Sequence, residues 1–194
     1  MVTMNNETTA YTQNKIHPHK LALWVSIGSI VMMFAALTSA YVVRRAQGNW
    51  YEFKLPDIFW VNTVVILLSS ATLHWSYKSF VAGRERQYKS LLLATFALGV
   101  AFVVLQYQGW VRMDALGATF TINPSSSFVY VISGLHAAHV LGGMAALVAA
   151  MVFAFALPFK PTPRRRLRYE LVNQYWHFVG ILWVYLVFFL NLQS

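Results

Sequence analysis

The sequence contains no cysteine. Disulfides, iron–sulfur clusters and thiolate metal sites are excluded with it. Charge is nearly as scarce: Asp, Glu, Lys and Arg make up 11% of the 194 residues, against about 25% in an ordinary soluble domain. A chain so poor in ions is built for a solvent that rejects them. Only six residues are acidic, Glu7, Glu52, Asp57, Glu85, Asp114 and Glu170, and none lies within a long apolar run. A proton pump or ion-coupled transporter usually keeps an acid at mid-membrane, and no internal repeat or Gly/Pro-broken pair of segments points to a transporter either. There is no P-loop, no Gly-x-Ser-x-Gly elbow and no zinc-protease motif. Nor do the residues through Lys20 contain the apolar core or the small-residue cleavage site of a signal peptide. The N-terminus is therefore expected to be retained, with the first apolar run directing insertion.

Apolar sequence is what the chain has in abundance, 58% of its residues. About 20 apolar residues cross ~30 Å of hydrocarbon, and five runs qualify: 21–43, 58–77, 91–107, 128–157 and 175–192. The expected fold is all-α: an integral membrane bundle of five transmembrane helices over 21–194, behind a cytoplasmic tail, 1–20. A buried soluble bundle is the alternative, and five successive runs of this length speak against it. Pro158 stops the fourth run, which exceeds a perpendicular crossing and so predicts tilt or protrusion. Trp60, Trp75, Tyr77, Tyr107, Trp110, Tyr175 and Trp176 stand at run ends, where aromatic belts form. The net charge is +9. On a soluble protein that would suggest nucleic acid; here the basic residues lie between the runs and read as anchors, with no nucleic-acid partner. Lys15, Lys20, Lys78, Arg84, Arg86, Lys89, Lys160, Arg164, Arg165, Arg166 and Arg168 fall on one side, eleven against the four of Arg44, Arg45, Lys54 and Arg112. The excess of Lys and Arg on the cytoplasmic side then places the N-terminus inside and the C-terminus outside.

Two patterns within the runs bear on function. Gly134, Ala138, Gly142, Ala146 and Ala150 recur every four residues and form one stripe on a helix. Small residues let another backbone approach closely. Packing among the five helices is the preferred account of the stripe, and an external partner the other. A looser small set, Gly28, Ala35, Ala36, Ser39 and Ala40, lies in the first run. The second pattern is four histidines in apolar sequence, His74, His136, His139 and His177. A polar ring in hydrocarbon should face protein, a cavity or a partner, and His136 and His139 share a helix face. Hydrogen-bonded packing between the fourth and fifth helices is the leading reading for His136, His139 and His177. Headgroup or interface contact comes second, and heme or metal ligation last. Ligation would need a group that orients the ring, and no carboxylate within the runs supplies one.

Several segments resemble subunit III of the heme-copper respiratory oxidases. Phe128 to Gly143 reads FVYVISGLHAAHVLGG, similar to the family's Gly-x-His-x-x-His-Val segment before glycine. Tyr175 to Leu186 reads YWHFVGILWVYL, similar to its terminal Tyr-Trp-His-Phe-Val segment, and Glu170 stands where the family places a glutamate. Asn62, Thr63 and Ser69–Ser70–Ala71–Thr72 in the second run, Gln106 and Trp110 in the third, and Trp24, Ser29, Phe34 and Tyr41 in the first fall in the same register. The resemblance extends from about Lys20 to the end and matches the shorter five-helix bacterial form. It departs at three positions: Ile30, Gly109 and Gly180 stand where the family commonly has carboxylates, which puts a direct proton-handling role in doubt.

The resemblance implies an accessory subunit of an aa3-type proton-pumping terminal oxidase, which reduces oxygen to water with electrons from cytochrome c or a quinol. It implies a bacterial inner-membrane location, heme a and copper on partner subunits and no cofactor on this chain. Subunits I and II are the implied partners, with subunit I packed directly, phospholipid ordered at the seam, and a larger respiratory assembly as a further setting. Proton uptake and turnover stability are the properties such a subunit sustains. Lys20 falls near a phospholipid headgroup contact of the family, a role open to a snorkelling lysine, although an ordinary anchor accounts for it too. A related small subunit of nitric oxide reductase systems and a di-histidine membrane cytochrome b are the alternatives.

Overall fold

A computed structural model describes residues 17–48, 50, 53–121, 123–159 and 162–193. The expected tail up to residue 16, with Glu7 and Lys15, and also Glu52 and Lys160, lies outside the described residues. The described residues form five helices: α1, Pro18–Ala46; α2, Ile58–Val81; α3, Glu85–Ala115; α4, Pro124–Ala156; α5, Pro163–Gln193. All five are long and apolar enough to cross a membrane.

Helix ends follow from local chemistry. Proline occupies the first turn of α1 and α4, where its missing N–H costs nothing, and Asn123 caps α4 by accepting the Ser125 amide at 2.9 Å. Gly48, Gly83 and Gly117, with φ of 81°, 76° and 80°, turn the chain out of α1, α2 and α3; glycine takes that left-handed conformation without a Cβ clash. Before Pro158, Leu157 is extended (φ −115°, ψ 147°), the conformation a following proline imposes.

The helices overrun the apolar runs. At 1.5 Å per residue, the 33 residues of α4 reach about 50 Å, and α3 and α5, at 31 residues each, are nearly as long. The excess length expected of the fourth helix, with tilt or protrusion as its outcome, is thus shared by α3 and α5. The basic segment Arg164–Arg168, read as part of a loop, belongs to the first turns of α5. On α3, the extra first turn carries a Lys89–Glu85 ion pair at 2.6 Å.

α2, α3, α4 and α5 close a ring, each packed on its neighbours, and α1 lies outside the ring against α4 and α5. Only Phe34, Thr38 and Tyr41 of α1 are buried. Trp176 sits at the centre of the ring and is fully buried. Its indole lies between two glycines: a Cβ on Gly143 of α4 would meet Trp176 Cε3 at 2.9 Å, and one on Gly99 of α3 would meet Cη2 at 3.2 Å. Trp176 therefore does not belong to the aromatic belt expected at the start of the fifth run. Its body is large enough to fill the axis of a four-helix ring, and its single N–H finds a partner inside. Tyr107 and Trp75, 65% and 57% exposed, do stand outward as belt residues should.

Candidate functional site

Lipid supplies no hydrogen bonds, so polar side chains in such a bundle must find one another. Here they form ties between helices. Trp176 Nε1 donates to Ser69 Oγ at 3.1 Å, Ser69 Oγ donates to the Thr95 carbonyl at 3.1 Å, and the Thr72 and Thr95 hydroxyls meet at 2.9 Å. This joins α5 to α2 and α3. One level away, Asn62 Nδ2 donates to Gln106 Oε1 at 3.1 Å, linking two residues that the resemblance had marked separately. Trp110 Nε1 donates to Ser133 Oγ at 2.9 Å, joining α3 to α4. Tyr169 Oη donates to Ser76 Oγ, and Ser76 Oγ to the Tyr88 carbonyl, both at 2.8 Å. The roles of Ser76, Tyr88 and Tyr169 were not apparent from sequence; hydroxyl and serine positions carry no spacing signal when their partners are 93 and 12 residues away.

The histidines divide into two groups. His136 is fully buried, stacked on Trp183 (centroids 4.9 Å, 30°) and edged by Phe102 and Phe34 at 6.0 and 6.4 Å. Neither of its ring nitrogens has a hydrogen-bond partner. His139 is half-buried; its Nδ1 lies 2.7 Å from the Leu135 carbonyl of its own helix, and its ring faces Phe34 at 5.8 Å. The tie between α4 and α5 runs through the backbone instead, Tyr175 Oη donating to the His139 carbonyl at 3.1 Å. His177 is apart from both and lies beside His74 of α2. Among the described residues, no three His, Asp or Glu side chains converge as a metal-holding group.

Lys20 and Glu170 meet. The Lys20 ammonium donates to Glu170 Oε1 at 2.8 Å, and Gln174 Nε2 reaches the same oxygen at 3.4 Å. Both partners of the ion pair are about one-third exposed (33% and 30%). The pair fastens the start of α1 to α5.

The small stripe of α4 turns outward at Gly134, Ala138 and Gly142, while Ala146 and Ala150 are half-buried beside α5 and Ala150 packs on the core. An added Cβ on Gly134 would meet nothing within 4 Å, and one on Gly142 would touch only Tyr175 Oη at 3.8 Å. Ala138 and Gly142 are exposed. The closest internal packing is met by other glycines: Gly143 and Gly99, and also Gly109 and Gly180, where an added Cβ would lie 3.1 Å from Phe59 and 3.0 Å from Ser70 Oγ. Spacing alone placed the stripe on one face but could not say which way the helix is turned. At the expected carboxylate positions, a Cβ on Gly109 or Gly180 would press on Phe59 or Ser70, while Ile30 is half-buried on α1.

Beside this face, α4 and α5 part to leave a groove of about 370 Å³. Ala146, Ala150, Phe153 and Val172 line it, and Arg165 and Arg168 stand at its basic end.

Comparison with known proteins gives the family. Residues 19–193 fit the family described as cytochrome c oxidase subunit III. The chain belongs to the cytochrome c oxidase subunit III family. A probable cytochrome c oxidase subunit 3 of Nocardia farcinica is 31% identical over 192 residues, covering 91% of both chains. One from Mycobacterium tuberculosis is 30% identical over 188 residues, again covering 91% of both. Against the subunit 3 of Pelomedusa subrufa, identity is 32% over 128 residues, which is 65% of this chain and 46% of the longer relative. Subunit III is an accessory chain of an oxidoreductase complex in the respiratory chain. With five spanning helices and bacterial relatives of matching length, this one is a multi-pass protein of the bacterial cell membrane.

Proposed function

We propose that this subunit III packs through the outward face of α4 against the oxidase's subunit I and holds phospholipid at the resulting seam. The outward small stripe carries the proposal: Gly134, Ala138 and Gly142 present a flat, backbone-close surface to the surroundings, beside exposed Leu141, Val148 and Val131. In hydrocarbon, where apolar burial drives little, close van der Waals approach is what joins helices. Small positions that the chain leaves open on its outside are suited to another chain. The groove between α4 and α5, apolar within and edged by Arg165 and Arg168, supports the lipid part: acyl carbons match its walls and a phosphate matches its guanidinium groups.

The rest of the oxidase reading belongs to the same proposal. Subunit II and other oxidase subunits complete the complex. Heme a and copper reside on partner chains, and electrons arrive from cytochrome c or quinol. This chain's share is to keep proton uptake and turnover stable by holding subunit I sealed. With Ile30, Gly109 and Gly180 at the carboxylate positions, it acts by packing and handles no proton itself. The N-terminus is assigned to the cytoplasm, because Lys20, Arg165 and Arg168 gather at one end of the bundle, where the Lys and Arg excess belongs.

The test is co-purification. Gly134→Leu and Ala138→Leu put branched side chains on the outer stripe, where a Cβ added at 134 meets nothing within 4 Å and Ala138 is exposed. Tagged wild-type chain should carry subunit I with its heme spectrum out of the membrane, and the double variant should lose it while retaining its own helical circular dichroism. Undiminished recovery of subunit I with the double variant would remove α4 as the contact face.

A further inference from the structure

The seam between α2 and α5 holds a pair of imidazoles that neither the packing nor the partner face employs. His74 on α2 and His177 on α5 are both half-buried, so their edges reach the surface of the bundle. Their ring centroids are 5.8 Å apart with planes inclined at 57°. That separation and tilt are not those of a stacked pair. Two imidazole nitrogens on one first-row metal ion lie about 2.0–2.1 Å from it, so the two ring centres stand roughly 5 to 6.4 Å apart for bond angles from tetrahedral to linear. The pair falls inside that interval.

A third donor shares the seam. Tyr169 Oη bonds Ser76 Oγ at one level, and Gly180 abuts Ser70 Oγ at another. Between these two contacts α2 presents His74, and α5 presents Asn173 and His177, four residues apart on one face. Asn173 is only 9% exposed, and its Oδ1 has no hydrogen-bond partner. A buried carbonyl oxygen without a partner costs free energy unless something fills the gap. Glu170 is held by Lys20 and Gln174, and Lys78, one turn along α2 from His74, is exposed, leaving its ammonium to water.

We infer that His74, His177 and the Asn173 carbonyl form a binding site for a divalent transition-metal ion. Two imidazoles and a carboxamide oxygen suit ions of the zinc, copper and nickel group rather than magnesium or calcium. Three protein donors leave the fourth position of a tetrahedral ion open to a further ligand. The site is independent of the oxidase's redox metals, since it lies on this chain, and independent of the α4 face, since it lies on the α2–α5 seam.

The experiment uses the full-length chain in lipid nanodiscs, Zn²⁺ as the probe, and mass spectrometry after diethyl pyrocarbonate labelling. His17 and His19, exposed at the start of α1 with ring centroids 5.2 Å apart, serve as an internal comparison. Micromolar Zn²⁺ should slow the labelling of His74 and His177 at least fivefold, with one shared half-point. In His74→Gln the protection of His177 should vanish. No protection of the seam pair, separate half-points for its two members, protection confined to His17 and His19, or protection of His177 that survives His74→Gln would each overturn the site. If His74→Gln loses its helical circular dichroism, the shared half-point in the wild-type chain decides alone.

Discussion

Gly142 and Gly143 are neighbours in sequence and opposite in consequence. Gly143→Ala drives a methyl into the Trp176 indole at 2.9 Å, and Trp176 has no free side to retreat to. Overpacking of that kind costs about 1–3 kcal/mol, so the thermal midpoint in detergent should fall. Gly142→Ala points outward and should leave the midpoint unchanged or slightly raised, since alanine is the better helix former. His136 poses a different question. Its two unpartnered nitrogens in an aromatic enclosure are a cost that a phenyl ring would not incur. His136→Phe should therefore match or exceed the wild-type chain in stability, whereas His136→Ala, which leaves a cavity, should lose about 2–4 kcal/mol. A large loss in His136→Phe would show that the imidazole nitrogens are engaged after all. At position 180, restoring the family's carboxylate should destabilise: Gly180→Asp would bury a carboxylate whose nearest neighbour is the unpartnered Ser70 hydroxyl, a single bond that offsets only part of the desolvation, and cost about 1–3 kcal/mol, read as loss of folded protein during extraction.

The elements differ in how firmly they are held. α2, α3, α4 and α5 are tied by buried indole, amide and hydroxyl groups as well as by shape. α1 buries three side chains, with Phe34 on the α4 histidines and Thr38 accepting from Tyr185 Oη at mid-helix, and adds polar contacts near its ends. One of these is the Lys20–Glu170 pair. At about one-third exposure for each partner, solvent screens it, and a double-mutant cycle of Lys20→Ala with Glu170→Gln should give about 0–1 kcal/mol, diminishing with salt. A coupling well above that would mean the pair is more enclosed within the native membrane. The paired lysine still has N–H donors to spare, because an ammonium carries three, so a headgroup contact and the ion pair are compatible.

For the whole molecule, membrane insertion, the number of helices and their order follow from the sequence, because runs of about 20 apolar residues have one favourable solvent whatever they pack against. Family membership was legible for a related reason: the two histidine segments and the Asn62–Gln106 register lie in the right helices in the right order. The tertiary structure decided what those residues do. It turned Gly134, Ala138 and Gly142 of the α4 stripe outward and Ala150 onto the core, gave close approach to Gly143, Gly99, Gly109 and Gly180, and set Trp176 at the axis of the ring rather than in a belt. It also joined Lys20 to Glu170 across 150 residues of chain and His74 to His177 across two helices. A repeat of four places residues on one face of a helix, but the rotation of that helix about its axis is set by which side chains fit between its neighbours, and that fit exists only after the helices have met.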